Sequence, residues 1–510
     1  MTTLNREPGT VGQDSSKDAS ARREGRFSVA LLVAAIASAI LTVALLSTPM
    51  DRLLVGVVAL ALMIALMMLK VPIGIVMLSV GSLGLLVLSS PGAVGGILSE
   101  VVYDTFASWS LSVVPMFVLM GVALGKSGIM ANAYDSARKL VGWLPGGLAV
   151  STNFAGAGMA ATSGSTVGIV YAVGRSAIPE MIRSGYKPGL VMGSTAMVGA
   201  LGQIIPPSLM LVIYAGVAET PVGPQLLAGM VPGLLLTLVF AAVIIGWAVL
   251  WPESAPRGRS YPWKERVASL AHLLPVLVIM IVVLGGIYAG VFTATEAGAY
   301  GAFVVLLMGL ATVIGRANRD RKNDPAAPTA GRSVATYLSS TFMDTVAAVS
   351  AVFMLLVGVH VLTRLMTLSG VAQWVADTVV DLGLSKVGFL FVLIGIYLFL
   401  GLFLDTLAMM LLTIPVFMAP LVALDVDLIW FGVFLVILAE IGMVTPPLGI
   451  LTFVVHSVAE ASTKGMGVKM SLSDAFKGVV PFIIGCLLVL VLMIFVPDLA
   501  LWLPGVSQAG

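Results

Sequence analysis

The chain is poor in charge. Of its 510 residues only 10% are Asp, Glu, Lys or Arg, while 59% are hydrophobic; a soluble domain carries about 25% charge. Many of the charges crowd into residues 1–26, 252–271 and 315–335, which leaves too few elsewhere to solvate a globular surface. A soluble enzyme, a disordered chain and a nucleic-acid binder are thereby excluded. The single cysteine, Cys486, excludes a disulfide framework and a cysteine metal site, and the apolar run around it marks it as a packing residue. Histidine is equally scarce, with three. There is no His-Glu-x-x-His pair and no Gly-x-Ser-x-Gly serine, so an intramembrane enzyme has nothing to work with. Gly125-Lys126-Ser127 resembles the end of a phosphate loop, but the required first glycine is Met120 and no strand precedes it, so no ATP site is expected.

What the chain has instead is long apolar runs. A helix needs about 20 apolar residues to cross a bilayer. Crossings are predicted at 27–48, 52–70, 71–89, 110–126, 188–217, 226–250, 272–290, 296–315, 338–363, 428–458 and 478–497. Residues 1–26 read as a polar, disordered cytoplasmic tail. The run after Arg22, Arg23 and Arg26 is too long for a signal peptide and reads as a retained helix.

Two stretches, 148–182 and 388–420, behave differently. Each has a polar midpoint, Ser163-Gly164-Ser165-Thr166 in one and Asp405-Thr406 in the other. A leg of about 16 residues rises roughly 24 Å, short of the ~30 Å core. Both therefore read as re-entrant helical hairpins with tips near the membrane centre, tolerated only where protein or water surrounds them. Two ordinary helices with a tight turn are the alternative.

Loop charge sets the expected orientation. Segments 1–26, 126–139, 183–187, 257–266, 316–332 and 464–477 are basic; 90–109, 218–225 and 421–427 carry acid alone. Basic segments inside place the amino terminus in the cytoplasm and the carboxyl terminus outside.

An internal repeat is visible. Gly202-Gln203-Ile204-Ile205-Pro206-Pro207-Ser208 matches Gly442-Met443-Val444-Thr445-Pro446-Pro447-Leu448 at an offset of 240. Ser163-Gly164-Ser165 falls opposite Leu404-Asp405-Thr406 at 241, and Ser127-Gly128 matches Ser369-Gly370. Flanking charges reverse between the copies, so the halves, 53–250 and 272–505 joined by a cytoplasmic loop at 251–271, are expected to be inverted. Inverted repeats with interrupted helices mark secondary transporters. Two prolines in mid-span remove a backbone donor and clash with the preceding turn. The freed carbonyls suit a cation, and opposing helix amino termini suit an anion. A kinked helix whose carbonyls are satisfied by Ser and Thr is the other possibility. A channel is disfavoured, because a pseudo-symmetric site within one chain fits alternating access better.

These residues resemble a known family. Gly146-Gly147-Leu148, Ser163-Gly164-Ser165, Ile178-Pro179-Glu180-Met181, Gly185-Tyr186, Ile205-Pro206-Pro207-Ser208, Tyr214 and Ala228-Gly229-Met230-Val231-Pro232-Gly233 look like the signature of the large membrane subunit of TRAP (tripartite ATP-independent periplasmic) transporters. So do Phe292-Thr293-Ala294-Thr295-Glu296-Ala297-Gly298, Phe403-Leu404-Asp405, Trp430-Phe431-Gly432 and Glu440 to Gly449. The likeness covers roughly 53–505. It implies an all-α, elevator-type transporter of the bacterial inner membrane, driven by sodium. It implies two partners, a small four-helix membrane subunit and a periplasmic binding protein that delivers a small organic anion, with a carboxylate expected. A stand-alone ion-coupled carboxylate transporter is the alternative.

The resemblance also assigns sites. A first sodium would use Ser163, Gly164 and Ser165 with carbonyls around Gly199, Gly202 and Ile205, and Ser208. A second would use Asp405 and Thr406 with Gly442 and Thr445. Substrate would bind near Ser163, Ser165 and Asp405. Two departures stand out: the family's Asp four residues past the Ser-Gly-Ser tip is Ile169 here, and 27–48 is an extra helix, too little for a fused small subunit. Asp405 is the strongest candidate, since a carboxylate in an apolar run is costly and by default functional. Glu440 is divided between function and support of the break. Glu296 reads as structural, Arg175 as snorkelling to the interface, and His360, Arg364 and His456 as residues near the ends of their crossings.

Overall fold

The computed structural model describes residues 51–509 except 70, 130–132, 164–165, 257, 259, 326 and 448. The predicted tail 1–26 and helix 27–48 lie outside the described residues. The described residues are helical, joined by short loops. The chain groups into two units, the first containing 51–102 and Val357–Val371, the second Tyr103–Leu356 and Ala372–Gly510.

The first unit holds helix α1 (Arg52–Met68), α2 (Ile73–Leu88) and most of α3 (Pro91–Ala107). Small residues let its helices approach closely. A Cβ at Gly56 would sit 2.4 Å from Ser369 Oγ, and one at Gly81 would meet Val361 Cγ1 at 2.9 Å. Arg364 pairs with Glu100 at 2.8 Å.

In the second unit come α4 (Val113–Ser127), α5 (Ala133–Val141), α6 (Gly147–Ser163), α7 (Thr166–Arg183), α8 (Pro188–Ile204), α9 (Leu209–Val217), α10 (Val222–Leu250), α11 (Trp263–Leu270) and α12 (Leu274–Tyr288). They are followed by α13 (Ala294–Asn323), α14 (Ala330–Ser369), whose last residues belong to the first unit, α15 (Val371–Asp381), α16 (Lys386–Leu400) and α17 (Thr406–Ala423). The last four are α18 (Leu428–Val444), α19 (Ile450–Ser462), α20 (Leu472–Phe495) and α21 (Asp498–Ala509). Among the described residues six helices are long and apolar enough to cross a membrane, or eight if two bent pairs each count as one span.

The interrupted helices form the core of this unit. Every residue from Leu190 to Ile204 in α8 and from Trp430 to Val444 in α18 is buried. Such helices are apolar all round because no face meets solvent. The halves keep an offset of 240 at one boundary after another. Helices α7 and α17 begin at Thr166 and Thr406 and end at Arg183 and Ala423; α8 and α18 end at Ile204 and Val444. Both breaks contain a cis peptide, Pro206–Pro207 and Pro446–Pro447. The turns after α7 and α17 also correspond. Gly185 and Asp425 both adopt positive φ, 83° and 52°, and Tyr186 N–H to Met181 O (3.0 Å) is repeated as Val426 N–H to Leu421 O (2.9 Å). Asp is among the few residues that tolerate this left-handed conformation.

Several sequence expectations are corrected. The offset at the tips is 240 and not 241, which sets Ser165 and not Gly164 opposite Asp405. The acidic loop 90–109 is helix α3: its charge and glycines masked Val94 and Val101, seven residues apart on one buried face. The basic loop 316–332 shrinks to 324–329, because Arg and Lys are good helix formers and α13 continues past its apolar part. The crossing at 272–290 is α12, which contains a π-turn at Ile281–Gly285 and bends by 44° from α11. Helix α11 lies within the segment read as the 251–271 loop. Helices α15 and α21 are further elements that no predicted crossing covers, since neither has the length of a span.

Candidate functional site

Each polar midpoint lies where one helix gives way to the next. In the second pair, Asp405 is the N-cap of α17: its carboxylate accepts the Ala408 N–H at 2.9 Å. This satisfies one of the orphan donors of a helix start. Capping engages Oδ1 and leaves the half-buried side chain at the amino end of α17, where the helix dipole also favours negative charge. Thr406, the first residue of α17, is buried, and its hydroxyl lies 3.6 Å from Met443 Sδ. In the first pair, Gly164 and Ser165 lie outside the described residues, and the Ser163 side chain does too. Thr166 there holds the place that Thr406 holds in the other pair.

The midpoints meet the broken helices. A Cβ on Gly199 would stand 2.9 Å from the Thr166 carbonyl oxygen, and one on Gly401, just before the second midpoint, 2.3 Å from Gly442 Cα. Only glycine permits such backbone approach. Asp405, Thr406 and Gly442 are thus gathered, and Gly199 joins the first tip. Gly202, Ile205 and Thr445 lie at the ends of α8 and α18, and both C-caps, Ile205 and Thr445, are extended (ψ 121° and 130°).

Part of the freed backbone is satisfied by hydroxyls. Ser208 caps α9, accepting the Leu211 N–H at 3.3 Å and donating to the Gln203 carbonyl. Thr445 donates to Ile441 O at 2.7 Å, and Thr452 to Val444 O at 3.2 Å. Ser and Thr therefore brace each break. Among the described residues no three His, Cys, Asp or Glu gather to hold a metal. The donors on offer are hydroxyls, carbonyls and a carboxylate, hard oxygens that suit an alkali or alkaline-earth cation and not a transition metal.

One residue outranks its sequence reading. Glu440 on α18 is 1% exposed. The Thr166 hydroxyl donates to its two carboxylate oxygens at 3.2 and 3.3 Å, while the Thr406 hydroxyl meets Met443 Sδ on the same helix, three residues further along. The first tip thus reaches the second broken helix at Glu440, beside the place where the second tip meets Met443. Position alone hinted at a role near the break; convergence over 274 residues has no sequence signal.

The other residues keep modest roles. Glu296 completes a capping box with Thr293. Arg175 is exposed beside the Tyr171 ring, 5.9 Å from its centre. His456 contacts Met470 O at 3.1 Å. Ile169 is fully buried.

The family model for the DctM component of tripartite ATP-independent periplasmic transporters matches residues 60–499. A C4-dicarboxylate TRAP transporter large permease protein of Pseudomonas aeruginosa is 33% identical over 423 residues, 82% of this chain and 91% of its own. A sialic acid TRAP transporter permease protein of Haemophilus influenzae is 26% identical over 88% of this chain and 68% of its own. Among solved structures, the YdaH transporter of Alcanivorax borkumensis aligns with a TM-score of 0.58 at 14% identity, covering 80% of this chain and 89% of that one, a likeness of fold alone. The family match spans both helix pairs, both proline breaks and Glu440, and its relatives are permeases and not enzymes: the chain belongs to the DctM family and is the large, multi-pass membrane subunit of a TRAP transporter.

Proposed function

We propose that this protein is the permease of a sodium-driven importer for a small organic anion of the carboxylate class. The observation that carries the reading is the convergence of two helix-pair tips on two buried, proline-broken helices at a constant offset of 240 residues. Sodium rests on Asp405, Thr406 and the carbonyls near Gly442 and Thr445 at one tip. At the other it rests on Ser163, Gly164, Ser165 and the backbone of Gly199, Gly202 and Ile205, with Ser208 shaping the break. Substrate lies beside Ser163, Ser165 and Asp405. The α6–α7 and α16–α17 pairs act as re-entrant hairpins and, with the broken helices, move as an elevator against the remaining helices. The halves are inverted, with the amino terminus in the cytoplasm and the carboxyl terminus in the periplasm of the inner membrane. A periplasmic binding protein delivers the anion, and a small four-helix subunit completes the membrane complex; coupling to ATP plays no part.

Reconstitution with these two partners tests the reading. An inward sodium gradient should drive accumulation of a dicarboxylate or sugar acid, while a potassium gradient should not. Uptake without the binding protein would reject the tripartite assignment, and uptake indifferent to sodium would reject the coupling.

A further inference from the structure

A cavity of about 430 Å³ opens where α4 ends, α13 leaves its apolar stretch and α14 begins. Lys126, Val313 and Pro328 line it together with one stripe of α14. Ser333, Thr336, Tyr337 and Ser340 stand three and four residues apart, so one helix face presents them together, with Arg332 beside them. Tyr337 is a fixed wall: it is buried, and its hydroxyl donates to the Ala123 carbonyl at 3.0 Å. Lys126 gives one of its three donors to Asp344 at 2.6 Å and keeps two. Among the described residues Arg332 has no ion pair, and no acid lines the cavity. The nearby end of α13 adds Arg316, Arg319, Arg321 and Lys322 against Asp320 alone. A second cavity, of about 280 Å³ beside Arg138, has no such spare charge, because Asp135 and Glu180 both take up that guanidinium.

The chain itself sets the depth of this cavity. The apolar run of α13 stops at Arg316, that of α14 starts after Arg332, and Lys126 closes the crossing of α4. The polar headgroup layer flanks the hydrocarbon core at this boundary. Next along the α14 stripe, toward the membrane centre, comes Met343, which is exposed, and α13 exposes Leu307 at its own membrane-ward side. A polar cavity therefore stands above apolar surface. A guanidinium forks onto two phosphate oxygens, and an ammonium serves phosphate as a point charge. We propose that this cavity binds the phosphate of an anionic phospholipid. Lys126 and Arg332 hold the phosphate, Ser333 and Thr336 donate to it, and the acyl chains lie on the exposed faces of α13 and α14. The Ser340 hydroxyl is already given to the Tyr337 carbonyl at 3.2 Å. A zwitterionic headgroup would bring an ammonium of its own, and no acid lines the cavity to receive it. In the orientation proposed above the site faces the cytoplasmic leaflet, where basic pockets between membrane helices take anionic headgroups. The binding is independent of the sodium reading.

The test is titration of the purified full chain, in neutral detergent, with dioleoylphosphatidylglycerol, dioleoylphosphatidylcholine and inorganic phosphate. Thermal stabilisation and lipid retained in native mass spectrometry are the readouts. Phosphatidylglycerol should stabilise the wild type saturably, and the other two should not. Arg332→Gln should weaken that binding about five-fold, the worth of one basic residue beside an anionic headgroup. Thr336→Val keeps every charge and should weaken it as well. Arg319→Gln removes the same charge from the neighbouring helix end, outside the cavity, and should leave the affinity unchanged. All three variants should melt like the wild type without lipid. Equal losses in Arg332→Gln and Arg319→Gln would mean diffuse attraction to a basic surface and overturn the site. Stabilisation by inorganic phosphate equal to that by the lipid would give the cavity to a soluble phosphate compound and overturn the lipid assignment. Loss of phosphatidylglycerol binding when the small membrane subunit is bound would make the cavity a protein contact and overturn it too.

Discussion

Gly401 and Gly442 bring two backbones together where no side chain fits: a Cβ on Gly401 would lie 2.3 Å from Gly442 Cα. This approach seats the start of α17 on the second broken helix and so sets where Asp405 and Thr406 stand. Gly401→Ala should therefore damage the protein, with loss of transport and a melting temperature well below wild type. Overpacking in a tight site costs about 1–3 kcal/mol. Gly395, in the same helix α16 with nothing within 4 Å of its would-be Cβ, is the control, and Gly395→Ala should be neutral or slightly stabilising. Melting curves and uptake on both variants check the pair; equal behaviour would mean the close approach is not retained in the working protein.

Asp405 holds two roles that one substitution can separate. It caps α17 through Ala408 N–H, and Asn caps about as well as Asp. Asp405→Asn should keep stability near wild type and lose sodium-driven uptake. Asp405→Ala should lose uptake and in addition about 0.5–2 kcal/mol of stability. Wild-type sodium dependence in a folded Asp405→Asn protein would reduce Asp405 to a cap.

Ile169 is a sharper case. If the family's acid supports the first sodium site, Ile169→Asp should tighten sodium binding. The side chain is 0% exposed, and an unpaired buried charge is strongly destabilising, by about 3–5 kcal/mol when a partner is lacking. We expect the second outcome: Ile169→Asp expresses poorly and melts early, whereas Ile169→Val loses only about 0.5–1.5 kcal/mol. A stable Ile169→Asp protein with higher sodium affinity would reverse this.

Orientation is open to labelling with no cysteine background, because Cys486 is buried. Val426 is only 5% exposed and would hide a probe, while Ala423 and Ser260 are exposed. In intact cells, an impermeant thiol reagent should mark Ala423→Cys and spare Ser260→Cys. The opposite pattern would invert the proposed topology.

The class of this protein was legible from composition alone. Long apolar runs leave a chain no solvent but lipid, and proline pairs at symmetric places announce broken helices, because the missing donor is a local property of the residue. The family likeness rests on equally local strings such as Ile205-Pro206-Pro207-Ser208 and Phe403-Leu404-Asp405. Boundaries were less legible: α3 was hidden by its glycines and acids, and α13 outran its apolar stretch, since charge ends a membrane crossing without ending a helix. The true offset of 240 at the tips needed the structure, because it is read from where α7 and α17 begin, at Thr166 and Thr406. The meeting of Thr166 and Glu440 was decided by tertiary packing alone. Hydrogen bonds between residues hundreds of positions apart leave no periodicity or spacing in the chain, and a lone Glu in an apolar helix reads the same whether it braces a break or holds a residue of the other half.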